Sequence, residues 1–154
     1  MRVLLTGGAG FIGSHTALLL LEKGYEVVIF DSFVNSSFNV IRAIKTYIKE
    51  DLENYKLKTI KGDIRDKDSL DKVFQDSIKE SNPIESVIHF AGLKSVSESL
   101  HQPLNYWDVN VCGTKTLLEI MIKNNCYSIV FSSSATIYGL TESFPISEEE
   151  KVNP

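Results

Sequence analysis

Short apolar runs of strand length alternate with longer amphipathic segments from the start of the chain to about residue 135. That alternation predicts repeated β-α-β units. Strands are predicted at Val3–Thr6, Glu26–Phe30, Leu57–Ile60, Ser86–Phe90 and Ser128–Phe131, each rich in Val, Ile, Leu or Phe. Several are apolar on both faces, as buried parallel strands must be. Helices are predicted at Phe11–Lys23, Val40–Lys49, Ser69–Lys79 and Tyr106–Lys123. Gly24 is placed to stop the first, Ile41, Ile44 and Ile48 form the apolar stripe of the second, and Asp68 is placed to cap the third. Five strands joined by four crossover helices predict an α/β fold, a doubly wound parallel sheet with helices on both faces. In such sheets ligands bind beyond the carboxyl ends of the strands, so functional residues are sought just after each strand.

The 154 residues suit one domain with a sizeable core, and 43% hydrophobic and 23% charged residues describe an ordinary folded chain. Net charge is −4, and no run of Lys and Arg forms a basic face. Nucleic acid and membrane surfaces are therefore not expected partners. The apolar start is interrupted by Gly7 and Gly8 long before the length of a signal peptide or a membrane span, which predicts a cytoplasmic protein. Cys112 and Cys126 have neither metal-ligand nor redox-motif spacing, and both are expected to pack without chemistry. His15, His89 and His101 likewise lack ligand spacing, so no metal site is expected.

The first predicted strand runs into Gly7-Gly8-Ala9-Gly10-Phe11-Ile12-Gly13, which holds two overlapping glycine spacings, Gly8-x-Gly10-x-x-Gly13 and Gly7-x-x-Gly10-x-x-Gly13. Glycines also occur in ordinary flexible turns. Here the string follows a strand, opens a helix, and precedes Asp31 at the end of the second strand by about 20 residues, which together form a dinucleotide fingerprint of the Rossmann type. An early glycine allows the tight turn, Gly10 lets backbone approach a pyrophosphate, and Gly13 lets helix and strand pack closely. The helix start then attracts the phosphates. The Asp31 carboxylate suits an adenosine ribose and repels a 2′-phosphate, and no Arg follows it before Arg42, so NAD is expected over NADP.

Four segments carry a family resemblance: Thr6 through His15, Gly62-Asp63-Ile64-Arg65-Asp66, His89-Phe90-Ala91-Gly92-Leu93-Lys94, and Phe131-Ser132-Ser133-Ser134-Ala135-Thr136-Ile137-Tyr138-Gly139. Together they resemble the extended short-chain dehydrogenase/reductases over essentially the whole chain. The Phe-Ala-Gly-Leu-Lys piece, with Val96-Ser97-Glu98-Ser99 after it, resembles the UDP-glucose 4-epimerase branch. The resemblance implies Phe11 and Ile12 at the pyrophosphate, and Asp31, Asn35 and Ser36 at the adenosine ribose and phosphates. It implies Asp63 and Ile64 at the adenine, and Phe90, Ala91, Gly92 and Lys94 along the nicotinamide half. Ser134 is implied between the nicotinamide and the 4-hydroxyl of the sugar. Read without the resemblance, Asp63 also fits a turn, Lys94 a solvated charge, and the serine run a cap after the fifth strand. Val109 stands where these epimerases often carry the first of two adjacent asparagines, so one polar cofactor contact is expected to be missing, and Asn110 keeps the second.

The resemblance also implies a reaction on UDP-glucose and UDP-galactose, in galactose metabolism. The sugar loses its 4-hydroxyl proton and its C4 hydride to NAD, turns over as a 4-keto sugar, and regains hydride on the other face. In the family a Tyr-x-x-x-Lys pair moves the proton. None of the six tyrosines has Lys four places on, and the family's pair follows a stretch like Val152-Asn153-Pro154, where this sequence ends. The sequence is therefore expected to be a truncated NAD-binding domain, residues 1–154, lacking the later strands and the lobe for the uridine nucleotide, and inactive alone. A homodimer through helices including Tyr106–Lys123 is expected from the resemblance only. A related nucleotide-sugar epimerase or dehydratase and a non-catalytic NAD-binding module are the alternatives.

Overall fold

The computed structural model describes residues 1–48, 56–141 and 144–154. Its sheet is built from β1 (Arg2–Thr6), β2 (Glu26–Asp31), β3 (Leu57–Lys61), β4 (Ile84–His89) and β5 (Ser128–Phe131). All neighbours are parallel, in the order β3-β2-β1-β4-β5. The chain runs outward from β1 to β3 on one side and returns to the other side of β1 as β4. Between the carboxyl ends of β1 and β4 the sheet therefore has a topological switch point, where the crossovers diverge and leave a crevice.

Alternation along the central strands divides the core into two layers. Leu4, Val28, Phe30 and Val87 face Leu70, Val73 and Phe74 of α3 (Lys67–Lys79) and Leu117, Ile120 and Met121 of α6 (Gly113–Lys123). Val3, Leu5, Val27 and Ile29 face Ala17 and Leu21 of α1 (Phe11–Glu22) and Ile41 and Ile44 of α2 (Phe38–Tyr47). Neighbouring residues of β1 and β2 thus serve opposite layers, which explains their unbroken apolar runs. β5 differs: Ile129, Val130 and Phe131 are all exposed. At the amino-terminal edge of the sheet, Arg2 bridges Glu26 at 3.1 Å and Glu80 at 2.7 Å, tying β1 to β2 and to the end of α3.

Every predicted strand is present, with ends moved by one or two residues. The helices depart more. α1 ends in a Schellman cap, with Gly24 at φ +80° donating to the Leu21 carbonyl and Tyr25 donating to that of Leu20, as the glycine placement led one to expect. α2 begins two residues before the predicted Val40, because the Ser37 hydroxyl accepts from the Asn39 amide and caps the helix; Lys49, its predicted end, lies outside the described residues. The cap of α3 is Asp66 rather than Asp68. The Asp66 carboxylate accepts from the Ser69 amide at 3.0 Å, and Asp68 falls in the first turn. The predicted helix from Tyr106 begins at Pro103, with α5 (Pro103–Trp107) passing through a π-helical turn at Asp108–Cys112 into α6. α4 (Val96–His101) was not predicted; Ser95 caps it, and the Tyr106 hydroxyl donates to Glu98 at 2.9 Å. Cys126 is buried and burial pushes its thiol pKa up, whereas Cys112 is only half-buried.

Candidate functional site

At the switch point lies a cleft of about 410 Å³, within the range of small-molecule and cofactor sites. Its floor is the glycine turn. Gly7 has φ +68°, and a Cβ on it would stand 2.6 Å from the Ala91 amide nitrogen, so the turn can lie against the end of β4 only without a side chain. A Cβ on Gly13 would stand 2.6 Å from the Gly7 carbonyl oxygen and 2.8 Å from the Gly8 Cα, so the close approach falls between the helix and the glycine turn, where the spacing predicted one between helix and strand. Gly10 gives α1 no side-chain cap, and its first turn holds no acidic residue. Among the described residues no side chain caps the amide groups of that turn, which lie at the positive end of a 12-residue helix whose first residues, Phe11, Ile12 and Gly13, line the cleft. Phe11, 82% exposed, and Ile12 flank them at the cleft wall.

The adjoining wall is held by Asp31, which is only 6% exposed. One of its carboxylate oxygens accepts from the Ala9 amide at 2.9 Å, and the other accepts from the Phe33 amide at 2.8 Å and the Ser36 hydroxyl at 2.9 Å. Asp31 thus fixes the glycine turn to the loop after β2 besides bordering the cleft. Asn35 lines that wall, whereas Ser36 contributes through Asp31. Arg42, on α2, does not line the cleft.

Beyond β3, Asp63, Ile64 and Arg65 form a third wall. Arg65 donates to Asp63 through Nε at 2.9 Å and Nη2 at 2.7 Å, and these bonds hold the Asp63 carboxyl below the usual carboxylate range. After β4, Phe90, Ala91, Gly92 and Lys94 line the fourth wall. The Asn110 carboxamide clamps this loop at two points, accepting from the Leu93 amide at 2.7 Å and donating to its carbonyl at 3.0 Å. Lys94 has no ion-pair partner among the described residues, which leaves a cation at the cleft for an anionic ligand. Val109 packs against the core and lines the cleft with an apolar side chain.

The sequence-derived residues therefore converge on one cleft, with three exceptions. Ser36 and Asn110 act from behind the wall, and Ser134 lies outside the lining, where its Oγ accepts from the Thr136 amide and caps the short 3-10 turn at Ala135–Tyr138. Arg65 is one of several lining residues that had no assigned role, Ser32, Asn105 and Ser132 among them. The signal of Arg65, a donor fork two residues after Asp63, is legible only once the turn is folded.

His89, at the end of β4, braces the site from below. Thr114 donates its hydroxyl to the Asn110 carbonyl at 2.6 Å, so the Thr114 oxygen accepts from His89 Nε2 at 2.9 Å, and His89 Nδ1 accepts from the Thr6 hydroxyl at 2.6 Å. This assignment of protons uses one donor and one acceptor, which is the neutral ring. Burial, followed by the nearby Lys94 cation, pushes the His89 pKa down to about 4. A histidine in the unfolded chain titrates near 6.5, so between those values the unfolded state binds the extra proton. Stability is then fully present above about pH 6.5 and is lost as pH falls toward 4, by roughly 3 kcal/mol in all. Urea midpoints at pH 7.5 and 4.5 should show this loss in the wild type and a smaller one in His89→Gln; equal losses would refute the assignment.

The parallel sheet, its strand order and the glycine turn over an uncapped helix define a Rossmann-type nucleotide-binding fold. The family model for GDP-mannose 4,6 dehydratase matches residues 4–154, and the chain belongs to this family of extended short-chain dehydrogenase/reductases. It is 46% identical over 148 residues to the UDP-glucose 4-epimerase of Neisseria meningitidis serogroup B, covering 96% of this chain and 41% of that protein. Identity is also 46%, over 149 residues, to the Bacillus subtilis UDP-glucose 4-epimerase, covering 97% of this chain and 41% of that one. The Bifidobacterium longum UDP-glucose 4-epimerase, crystallised with NAD+ and UDP, superimposes with a TM-score of 0.86 at 40% identity over 99% of this chain and 43% of its own. The Stenotrophomonas maltophila enzyme, with NAD and a formylated UDP-arabinopyranose, gives 0.87 at 38% identity, over 99% and 43%. The chain thus spans about two fifths of the length of the relatives it matches. Among the described residues no helix is long and apolar enough to cross a membrane.

Proposed function

We propose that residues 1–154 are the NAD-binding domain of a cytoplasmic UDP-sugar 4-epimerase that interconverts UDP-glucose and UDP-galactose. The observation that carries this is the fit of the cleft to a dinucleotide: an uncapped helix start for the pyrophosphate, a carboxylate wall at Asp31, and the cation of Lys94 in the same lining. The similarity to epimerases crystallised with NAD supports the choice of cofactor. Bound here, NAD supplies the acceptor that takes hydride from the sugar's C4 and returns it within the same cycle.

Each residue then has a role set by its place. The amides at Phe11, Ile12 and Gly13 hold the pyrophosphate, with the glycine turn giving it room to approach. Asp31 and Asn35 hold the adenosine ribose, and Ser36 keeps Asp31 in place. Asp63 and Ile64 take the adenine. Phe90, Ala91 and Gly92 shape the nicotinamide half, Asn110 holds their loop, and Lys94 balances the negative charge. Ser134 hydrogen-bonds the 4-hydroxyl of the sugar. The Tyr and Lys that move the proton, and the lobe that grips the UDP-sugar, belong to the rest of the enzyme. The exposed apolar residues of β5, and Trp107, Val111 and Ile122 on the helix from Pro103, support burial against further protein, including a second copy.

The test is turnover. The protein as its gene encodes it should interconvert UDP-glucose and UDP-galactose, and the isolated 154 residues with added NAD should not. Activity of the isolated chain would place the proton-transfer residues inside it, and conversion of a different nucleotide sugar by the gene-encoded protein would replace the substrate named here.

A further inference from the structure

The turn after β3 does more than line the cleft. Asp63 presents two carboxylate oxygens with about four lone-pair positions. Three are taken by one residue: the Arg65 amide and Nε both donate to Oδ1 at 2.9 Å, and Nη2 donates to Oδ2 at 2.7 Å. One acceptor position, on Oδ2, is left for the cleft. The guanidinium is itself anchored, because Nη1 donates to Asp108 at 2.8 Å where the helix from Pro103 makes its π-helical turn. The same helix and turn are locked a second time, since a Cβ on Gly113 would stand 2.5 Å from the Ile64 side chain. A carboxylate on the surface turn of a strand normally samples several rotamers; this one is held by a planar fork fastened at both ends.

We infer that Arg65 is a positioning residue for base selectivity: it holds Asp63 so that a single lone pair meets the purine 6-position, accepting from a 6-amino group and repelling a 6-oxo group. The inference rests on the proposed binding of NAD in this cleft with its adenine at Asp63. An amino group there donates to the free lone pair, whereas an oxo group sets lone pair against lone pair. Without the fork, Asp63 turns to solvent and the two bases become more alike to the protein. Asp108 acts one step further back, keeping the guanidinium in the plane of the carboxylate.

The probe is nicotinamide hypoxanthine dinucleotide, in which a 6-oxo group replaces the 6-amino group of NAD and N1 carries a proton. Cofactor-free protein, as its gene encodes it, is titrated calorimetrically with both. The wild type should prefer NAD by about 10- to 100-fold, the range set by one hydrogen bond to a charged acceptor. Arg65→Gln should lower that preference by about fivefold or more, through weaker binding of NAD and no weaker binding of the hypoxanthine form. Asp108→Asn, which leaves the fork on Asp63 intact, should lower it by about two- to threefold, and it decides the matter if Arg65→Gln does not fold. Retained preference in both variants, or an equal loss for both dinucleotides, overturns the role of Arg65. A wild type that binds both dinucleotides equally overturns the inference and leaves NAD binding standing, whereas a wild type that binds neither overturns the proposed function and the inference with it.

Discussion

Replacing Gly7 by valine should strongly destabilise the domain. Two costs add. The left-handed backbone at φ +68° disfavours any L side chain by about 1–2 kcal/mol, and more for a β-branched one. The new Cβ would also meet backbone, not a side chain that can swing aside, at 2.6 Å from the Ala91 nitrogen and 2.7 Å from its Cα. Relief requires the end of β1 to part from the end of β4, in the middle of the sheet. A total of about 3–5 kcal/mol is expected, against a typical domain stability of about 5–15 kcal/mol. Urea unfolding followed by circular dichroism measures it. Gly7→Val within about 1 kcal/mol of wild type would mean that the turn does not need its glycine conformation.

The second large effect is expected at Asp31, even for the isosteric asparagine. Both ends of the carboxylate face donors: Ala9 N–H on one oxygen, Phe33 N–H and the Ser36 hydroxyl on the other. Whichever way a carboxamide is turned, its NH2 group points at an N–H donor, and a buried amide loses its acceptor. The glycine turn and the loop after β2 then come apart at the cofactor wall. NAD affinity should fall by about 10- to 100-fold, and the discrimination against NADP should shrink because the repelling charge is gone. Calorimetric titration with NAD and NADP reads both. Unchanged affinity for NAD would show that the wall holds without Asp31.

How much of this the sequence disclosed follows from where the constraints are local. The two-layer core was legible because adjacent residues such as Leu4 and Leu5 must both be apolar when both faces of a strand are covered. The glycine turn was legible because its requirements fall on consecutive residues. α4 was missed for the opposite reason: Val96 and Leu100 are exposed, so the helix buries no stripe and leaves no periodic signal. The cap of α3 was misplaced by two residues because Asp66 and Asp68 have the same chemistry, and only the extended backbone at Asp66 selects it. Asp31 was read as a ligand contact, whereas its three internal hydrogen bonds make it a brace as well, through partners two, five and 22 residues away. Arg65 and Asp108 lie 43 residues apart, and nothing local marks them as one device.

The measurement that reaches the central claim most directly is equilibrium titration of the unaltered protein, freed of cofactor, with NAD and with NADP. The account expects NAD to bind, and to bind tighter than NADP by about tenfold or more, because a 2′-phosphate would have to sit against the Asp31 carboxylate. NADP binding as tightly as NAD, or the absence of binding by either, would contradict it.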